Sequence, residues 1–332
     1  MRRAVAITLL AATLLIATLG VAGCGSSRRS LSSATLVLDF TPNPVHVGIY
    51  TALARGFDRA AGVDLHVIAP SASTDSIRLL ETGRADFAIL DIHDLAIARE
   101  HGEHVVGILP IVERPLAAVI AAPGISSPRQ LDGRTVGVTG APSDAAVLDS
   151  IVAGAGGRPS ALHTVTIGYD AVPDLLAGRV AAATAFWNDE GVTLARRRPG
   201  FHIFRVDEYG APSYPELVVC ATAQLLRARP GLARAVVRAL VRGYDAALAD
   251  PTAGQRDLES RVPGLDHALD AAELRALAPA FTGPEHRFGV LDSALLRTWA
   301  RWETRFGIVK RVPDVAAMFD TRFAPAAGVG GG

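Results

Sequence analysis

Short apolar runs alternate with amphipathic segments along the first third of the chain. Four runs predict strands because they are brief and rich in apolar or β-branched residues: ATLVLDF (34–40), DLHVIAP (64–70), ADFAIL (85–90) and HVVGILPIV (104–112). Between them, apolar residues at helical spacing predict short helices at 45–54, 73–82 and 94–101. Strands alternating with short helices indicate βαβ units and a largely parallel sheet.

The same alternation restarts near Ala121 and gives way to a mostly helical region after Pro230. Two apolar runs, LAAVIAAPGI (116–125) and ELVVCATAQLL (216–226), flank this middle segment. We expect both to be strands that cross between two lobes, with residues 35–118 and 219–325 in lobe 1 and the inserted residues 119–218 in lobe 2. This predicts an α/β fold in which two mostly parallel sheets, each flanked by helices, close on a cleft about a two-strand hinge.

The N-terminus has the layout of an export signal. Arg2 and Arg3 precede an apolar run from residue 4 to residue 19, which is short for a membrane span. VAGC, ending at Cys24, resembles a bacterial lipobox, although an ordinary anchor helix with an incidental cysteine is the alternative. We therefore expect a signal peptide at 1–23, a lipid on Cys24, a flexible tether at 24–34 and a disordered tail at 326–332.

Composition excludes several function classes. With 33 basic and 33 acidic residues, the chain lacks the positive excess that nucleic-acid binding requires. Its two cysteines are Cys24 and Cys220, with no CxxC pair and no Cys/His set at metal-ligand spacing, so we expect no metal site and no cofactor. Cys220 lies in an apolar run and is expected to be a buried small side chain.

Polar residues collect in segments that follow predicted strands, where ligands of open α/β sheets bind. In DFTPNPVHVGIY (39–50), two prolines fix a turn that can present Asn43 and His46 at a helix N-terminus. The alternative is that Asn43 caps the helix and His46 packs locally. In DIHD (91–94), Asp91 and His93 can face the cleft, while Asp94 is expected to cap the next helix.

Two further post-strand segments lie in the middle of the chain. TGAPSDA (139–145) begins with Thr139 and has small residues that allow a ligand to approach the backbone. FWNDEGV (186–192) offers Trp187 for stacking on a flat ring, and Asn188 and Glu190 for reading ring nitrogens or an amine. A core tryptophan beside an Asn or Asp cap is the alternative.

Together these segments resemble the solute-binding lipoproteins of bacterial ABC importers, in the branch that binds thiamine pyrimidine precursors. The resemblance covers residues 36–248 and rests on LDFTPNPVHVGIYTALARGF, GRADFAI, LDGRTVGV and FWNDEGV. It implies a type II periplasmic-binding-protein-like fold, a permease partner and no chemistry. In the pyrimidine binders, the turn and the Trp-Asn-x-Glu segment contact the ligand. The resemblance therefore implies that the matching residues here, Asn43, His46, Trp187 and Glu190, contact the ligand. The sequence departs from the branch at two places. Phe40 stands where the branch usually has tryptophan, and LDIHD (90–94) alters the opposite wall of the pocket.

The leading hypothesis is a monomeric binder of a small aromatic ligand, such as hydroxymethylpyrimidine or formylaminopyrimidine, lipid-anchored on the extracytoplasmic face of the membrane. Riboflavin, another flat heterocycle or a sulfonate are alternative ligands. A pyrimidine-synthase-like enzyme is a further alternative, but such enzymes carry a cysteine cluster and a cofactor-binding lysine, whereas Lys310 is the single lysine here. A degenerate sensory or structural lipoprotein that no longer transports is the third alternative.

Overall fold

Two five-stranded sheets form the centre of the chain, as seen in a computed structural model that describes residues 31–282 and 287–326. The first sheet has the order β2-β1-β3-β10-β4 and the second has the order β7-β6-β8-β5-β9. The ten strands are β1 (Ser32–Val37), β2 (Val63–Ile68), β3 (Phe87–Asp91), β4 (Val105–Pro110), β5 (Ala117–Ala121), β6 (Thr135–Val138), β7 (His163–Thr166), β8 (Ala182–Phe186), β9 (His202–Arg205) and β10 (Leu217–Thr222).

Helices follow most of the strands and cover the sheets. The helices are α1 (Val47–Ala54), α2 (Phe57–Ala60), α3 (Asp75–Glu81), α4 (Ile92–Glu100), α5 (Asp144–Gly154), α6 (Ala171–Ala177), α7 (Glu190–Arg197), α8 (Ala223–Ala228), α9 (Pro230–Ala249), α10 (Pro251–Arg261), α11 (His267–Leu277), α12 (Ser293–Arg305) and α13 (Val315–Met318). None of the helices in the described part of the chain combines the length and the hydrophobicity that a membrane crossing requires.

Each sheet contains one strand that opposes the other four. In the first sheet β10 pairs antiparallel with β3 and β4, and in the second sheet β5 pairs antiparallel with β8 and β9. The remaining pairs, such as β1 with β2 and β6 with β7, are parallel. This confirms the predicted two-lobed α/β fold with mostly parallel sheets.

The crossings between the sheets differ from the expectation. The runs expected to cross, β5 and β10, each lie wholly within one sheet. The chain passes between the sheets in two segments without strand pairing, at 111–116 and 206–216, which we call the hinge linkers. Residues 117 and 118 therefore belong to the second sheet rather than to lobe 1, and residues 217 and 218 belong to the first sheet rather than to lobe 2. The apolar pattern could not place these boundaries, because they depend on which strands pair.

Helices α1 and α9 approach closely where a glycine replaces a side chain. A Cβ on Gly48 would lie 2.2 Å from the ring of Tyr244, which is fully buried. The Tyr244 hydroxyl donates a hydrogen bond of 2.8 Å to the Val45 carbonyl oxygen. Helix α9 thereby holds the turn that precedes α1 in place.

Several terminal predictions fall outside the described residues, namely the signal peptide, Cys24 and residues 327–332. The predicted tether was too long, since Ser32–Ala34 pair with Val63–Leu65 as part of β1. The polar side chains of Ser32 and Ser33 suggested a flexible segment, but their backbone groups are hydrogen-bonded in the sheet, which places them in a strand.

Candidate functional site

A cleft between the two sheets lies beside the carboxyl ends of β1, β3, β6 and β8. It contains about 880 Å³ of empty space, which includes the solvent at its mouth. Its polar lining consists mainly of carboxyl and hydroxyl groups, from Asp39, Asp91, Asp94, Asp144, Asp189, Glu190, Ser73, Ser76, Ser143, Thr139, Thr184 and Tyr169.

The turn after β1 presents its first two residues, Asp39 and Phe40, to the cleft. Asn43 and His46 hold the turn together. The Asn43 Oδ1 atom accepts the Val45 N–H at 2.8 Å, and the Asn43 N–H donates to the His46 Nδ1 atom at 3.2 Å. Because Nδ1 accepts, Nε2 carries the proton and donates to the Asp39 carboxylate at 2.9 Å. Asn43 and His46 therefore position Asp39 and do not themselves line the cleft.

Phe40 meets an aromatic residue from the opposite lobe. Its ring lies 4.4 Å from the ring of Tyr169 in an edge-to-face arrangement, and the Tyr169 hydroxyl lies 3.4 Å from the Asp39 carbonyl oxygen. Tyr169 follows β7, and sequence reasoning missed it. Its position in a post-strand loop was the available signal.

The segment after β8 divides between the cleft and the hinge. Glu190 and Asp189 line the cleft, and the Glu190 carboxylate accepts the Phe186 N–H at 3.0 Å. The Trp187 indole N–H donates to the Pro115 carbonyl oxygen at 2.9 Å in a hinge linker, and Arg205 lies 4.3 Å above the ring. Trp187 and the buried Asn188 thus lie outside the cleft lining, contrary to the predicted stacking role of Trp187.

The segment after β3 also reverses two expectations. Asp91, rather than Asp94, caps α4 by accepting the His93 N–H at 2.7 Å. Asp94 instead lines the cleft and accepts the Ser143 N–H of the other lobe at 3.1 Å. His93 lies below the cleft and is fully buried. The helix begins earlier than its sequence pattern suggests, which moves each side chain to a different role.

Thr139 lines the cleft as predicted, next to Asp144. The Asp144 carboxylate accepts the Thr139 hydroxyl at 3.0 Å and the N–H groups of Gly140 and Ala141 at 2.6 and 2.9 Å. The Thr184 hydroxyl donates to its other oxygen at 3.1 Å. These donors hold the loop after β6 in one conformation.

Burial dominates the electrostatics of the cleft. It raises the pKa of Asp94 to about 6 and that of Asp189 to about 6. It raises the pKa of Glu190 to about 8, and the charge of the adjacent Asp189 adds to this shift. Among the described residues, the lining contains no lysine, arginine or histidine. The cleft therefore suits a ligand that carries hydrogen-bond donors or positive charge.

A second group of buried acids lies below the cleft, between the hinge linkers and the first sheet. Glu216 accepts the N–H groups of Leu116 and Ala117 at 2.5 and 2.8 Å. Burial alone lowers the pKa of His93, but the negative charges of Glu303 and Asp91 outweigh it and raise this pKa to about 9. Neither Glu216 nor Glu303 was singled out from the sequence.

Comparison with known proteins places this geometry in context. The chain is 28% identical over 276 residues to the formylaminopyrimidine-binding protein of Halalkalibacterium halodurans, covering 81% of this chain and 83% of the relative. It is 21% identical over 312 residues to a 4-amino-5-hydroxymethyl-2-methylpyrimidine phosphate synthase of Saccharomyces cerevisiae, covering 89% and 88% of the two chains.

Its fold is shared with the alkanesulfonate-binding protein SsuA of Xanthomonas axonopodis pv. citri, at a TM-score of 0.69 and 12% identity, over 87% of this chain and 98% of that one. The model of the NMT1/THI5 like family matches residues 43–254, which is more than half of the chain. The predicted two-lobed periplasmic-binding-protein-like fold is therefore confirmed, and the chain belongs to the NMT1/THI5 like family.

Proposed function

We propose that the protein is the extracytoplasmic solute-binding component of an ABC importer and captures a small aminopyrimidine in the cleft between its lobes. The observation that carries this proposal is the acidic lining of the cleft, to which no basic side chain of residues 31–282 and 287–326 contributes. An aminopyrimidine offers an exocyclic amine and basic ring nitrogens, which carboxylates and hydroxyls can bind. The name of the formylaminopyrimidine-binding relative supports the same ligand class.

The aromatic part of the ligand has matching walls. Phe40 and Phe186 line the cleft beside Tyr169, so apolar and aromatic surface faces the same space as the carboxylates. A flat heterocycle can pack on these rings while its amine faces Asp189 or Glu190. A sulfonate would bring negative charge to six carboxyl groups, which makes it the weaker alternative.

Capture without chemistry fits the residues better than the synthase alternative. Cys220 is fully buried in β10, where desolvation raises the pKa of its thiol well above the ordinary value. An un-ionised, inaccessible thiol is a poor nucleophile. Lys310 lies on the surface after α12, and its N–H donates to Glu100, so it is outside the cleft lining. A permease partner and a lipid anchor on Cys24 complete the proposed importer component.

A ligand screen tests the proposal directly. The chain from Leu31 onward forms one compact unit and can be titrated with hydroxymethylpyrimidine, formylaminopyrimidine, thiamine, riboflavin and an alkanesulfonate. We expect aminopyrimidines to bind, and a ligand at 100 times its Kd to raise the unfolding free energy by about 2.7 kcal/mol. Riboflavin or sulfonate binding without aminopyrimidine binding would overturn the proposed ligand class.

A variant locates the site. Asp189→Asn removes a charge from the cleft lining without removing a capping hydrogen bond, because the Asp189 side chain makes no such bond to α7. We expect about 10- to 100-fold weaker aminopyrimidine binding by calorimetry, since hydrogen bonds to charged groups contribute about 1.5–3 kcal/mol. The control is Glu208→Gln on the exposed surface, which should bind normally. Unchanged binding in Asp189→Asn would place the ligand elsewhere.

A further inference from the structure

Below the cleft, the three fully buried side chains of Tyr214, Glu216 and Glu303, together with Asp91, surround the imidazole of His93, which is also fully buried. We call Asp91, His93, Tyr214, Glu216 and Glu303 the hinge cluster. Each of the last four is 0% exposed. They come from α4, from the second hinge linker and from α12, so the cluster joins distant parts of the chain. Burying three carboxyl groups beside one imidazole is costly unless positive charge lies next to them.

The His93 ring is oriented for that purpose. Its Nδ1 atom makes a short hydrogen bond to the Glu303 carboxylate, and the Trp299 N–H lies farther away from the same nitrogen, at 3.4 Å. The carboxylate therefore fixes the Nδ1 proton. In the neutral imidazole, the Nε2 lone pair then points toward the Tyr214 hydroxyl at 3.0 Å and the Glu216 Oε1 atom at 3.8 Å. A carboxylate that orients a histidine in this way is the usual support of a metal-binding imidazole.

Glu216 supplies a second, independent observation. Its Oε2 atom accepts the Leu116 and Ala117 N–H groups, but its buried Oε1 atom has no hydrogen-bond partner. That free oxygen is the one that faces His93 Nε2. An unpartnered buried carboxylate oxygen is costly, so its position indicates a missing positive partner.

The donor atoms are close enough to share an ion. One ligand atom each from Asp91, His93 and Glu216 lies within 4.8 Å of the other two. Asp91 also lines the cleft, which gives an ion a path to the buried donors. An imidazole with two carboxylates suits first-row transition metals such as Zn²⁺, Mn²⁺ or Co²⁺ better than Ca²⁺ or Mg²⁺, which prefer oxygen ligands.

We propose that Asp91, His93 and Glu216 bind a divalent transition-metal ion at the hinge, with Glu303 orienting the imidazole. The ion would connect the start of α4 to the residue that holds Leu116 and Ala117, and so would stiffen the hinge linker that enters β5. A protonated His93 and a metal ion are alternatives at Nε2, because each neutralises the same carboxylates.

Cobalt titration of the chain from Leu31, stripped of metal with EDTA and without a purification tag, tests the site. We expect one equivalent of Co²⁺ to bind, with visible absorption bands that Zn²⁺ displaces. His93→Gln should abolish these bands. Glu303→Gln should keep them and weaken binding about 10- to 100-fold, as loss of a supporting carboxylate does.

The matched control removes a histidine that also contacts a glutamate. His267 lies 2.9 Å from the Glu259 carboxylate on the surface, and His267→Gln should leave the cobalt spectrum unchanged. Absence of one-equivalent binding in the unsubstituted chain would overturn the proposal without any variant. Retained bands in both His93→Gln and Asp91→Asn would do the same. Aminopyrimidine binding, measured separately with EDTA present, reports on the proposed function independently of the metal.

Discussion

The cleft and the hinge cluster both contain buried carboxyl groups, but they are neutralised differently. In the cleft, Asp144 and Glu190 receive hydrogen bonds from backbone N–H or hydroxyl groups, and no basic side chain joins the lining among the described residues. In the hinge cluster, the carboxylates of Glu216 and Glu303 lie beside the imidazole of His93. One group of acids faces open space and the other faces an imidazole within the protein.

This difference suggests that the cleft acids serve ligand binding and the hinge acids serve the stability of the fold. In the hinge cluster, Glu216 accepts the backbone N–H groups of Leu116 and Ala117 and so ties the two hinge linkers together. The cleft acids come from both lobes, as Asp94 and Asp144 do, and the negative charge of Asp144 adds to the effect of burial in raising the pKa of Asp94. Under the proposed function, a donor-rich or cationic ligand would offset that negative charge.

Glu216→Ala should give the largest effect on stability. It removes the acceptor of the Leu116 and Ala117 N–H groups and leaves the His93 cluster without one of its carboxylates. We expect the unfolding free energy to fall by about 3–5 kcal/mol, as when one partner of a buried ion pair is removed. Urea denaturation with EDTA present measures it.

The control for that substitution is Glu208→Ala, which lies on the exposed surface and should change stability by less than about 0.5 kcal/mol. If Glu216→Ala were equally mild, the hinge cluster would not be the stabilising region, and the contrast with the cleft would fail.

The second largest effect should be the change of unfolding free energy with pH that Glu190 in the cleft causes. Glu190 has a folded-state pKa of about 8 against an ordinary value of 4.5, so the folded protein binds more protons than the unfolded chain between these values. The unfolding free energy contributed by this group is therefore highest below pH 4.5 and decreases as the pH rises to about 8. Glu190→Gln should decline less than the unsubstituted chain across this window.

Urea denaturation at pH 5, 6, 7 and 8 measures that decline, again with EDTA present so that metal binding does not contribute. Glu208→Gln should retain the full dependence. An identical decline in Glu190→Gln would show that burial of this carboxyl does not govern the pH response of the cleft.

Tyr169→Phe should have the smallest effect. It removes the long 3.4 Å hydrogen bond to the Asp39 carbonyl oxygen and keeps the ring that contacts Phe40. We expect a loss of about 0.5 kcal/mol or less in unfolding free energy, with Tyr209→Phe as the matched control. A loss above about 1.5 kcal/mol would mean that the lobes are held together in the cleft as firmly as at the hinge.

All four post-strand segments singled out in the sequence contribute residues to the cleft lining, but not always the side chains that were expected. Phe40, Asp91, Thr139 and Glu190 line the cleft as predicted. Trp187 does not, because its indole N–H binds the Pro115 carbonyl oxygen in a hinge linker. A sequence shows that an aromatic residue follows a strand, but not which surface its ring packs against.

The residues that were missed share one property: their role depends on a partner distant in sequence. Glu216 binds N–H groups 100 and 99 residues away, and His93 pairs with Glu303 across 210 residues. Tyr169 contacts Phe40 from the other lobe. Such contacts leave no periodic or local signal.

The sequence by itself determined the alternation of strands and helices, the two-lobed fold and the segments that form the cleft, because hydrophobic periodicity and turn residues act locally. Only the tertiary structure decided which acids line the cleft and which meet His93, and where the chain crosses between sheets. Those outcomes depend on which buried polar groups find partners once the sheets pair, and burial then sets the charge that each carboxyl group carries.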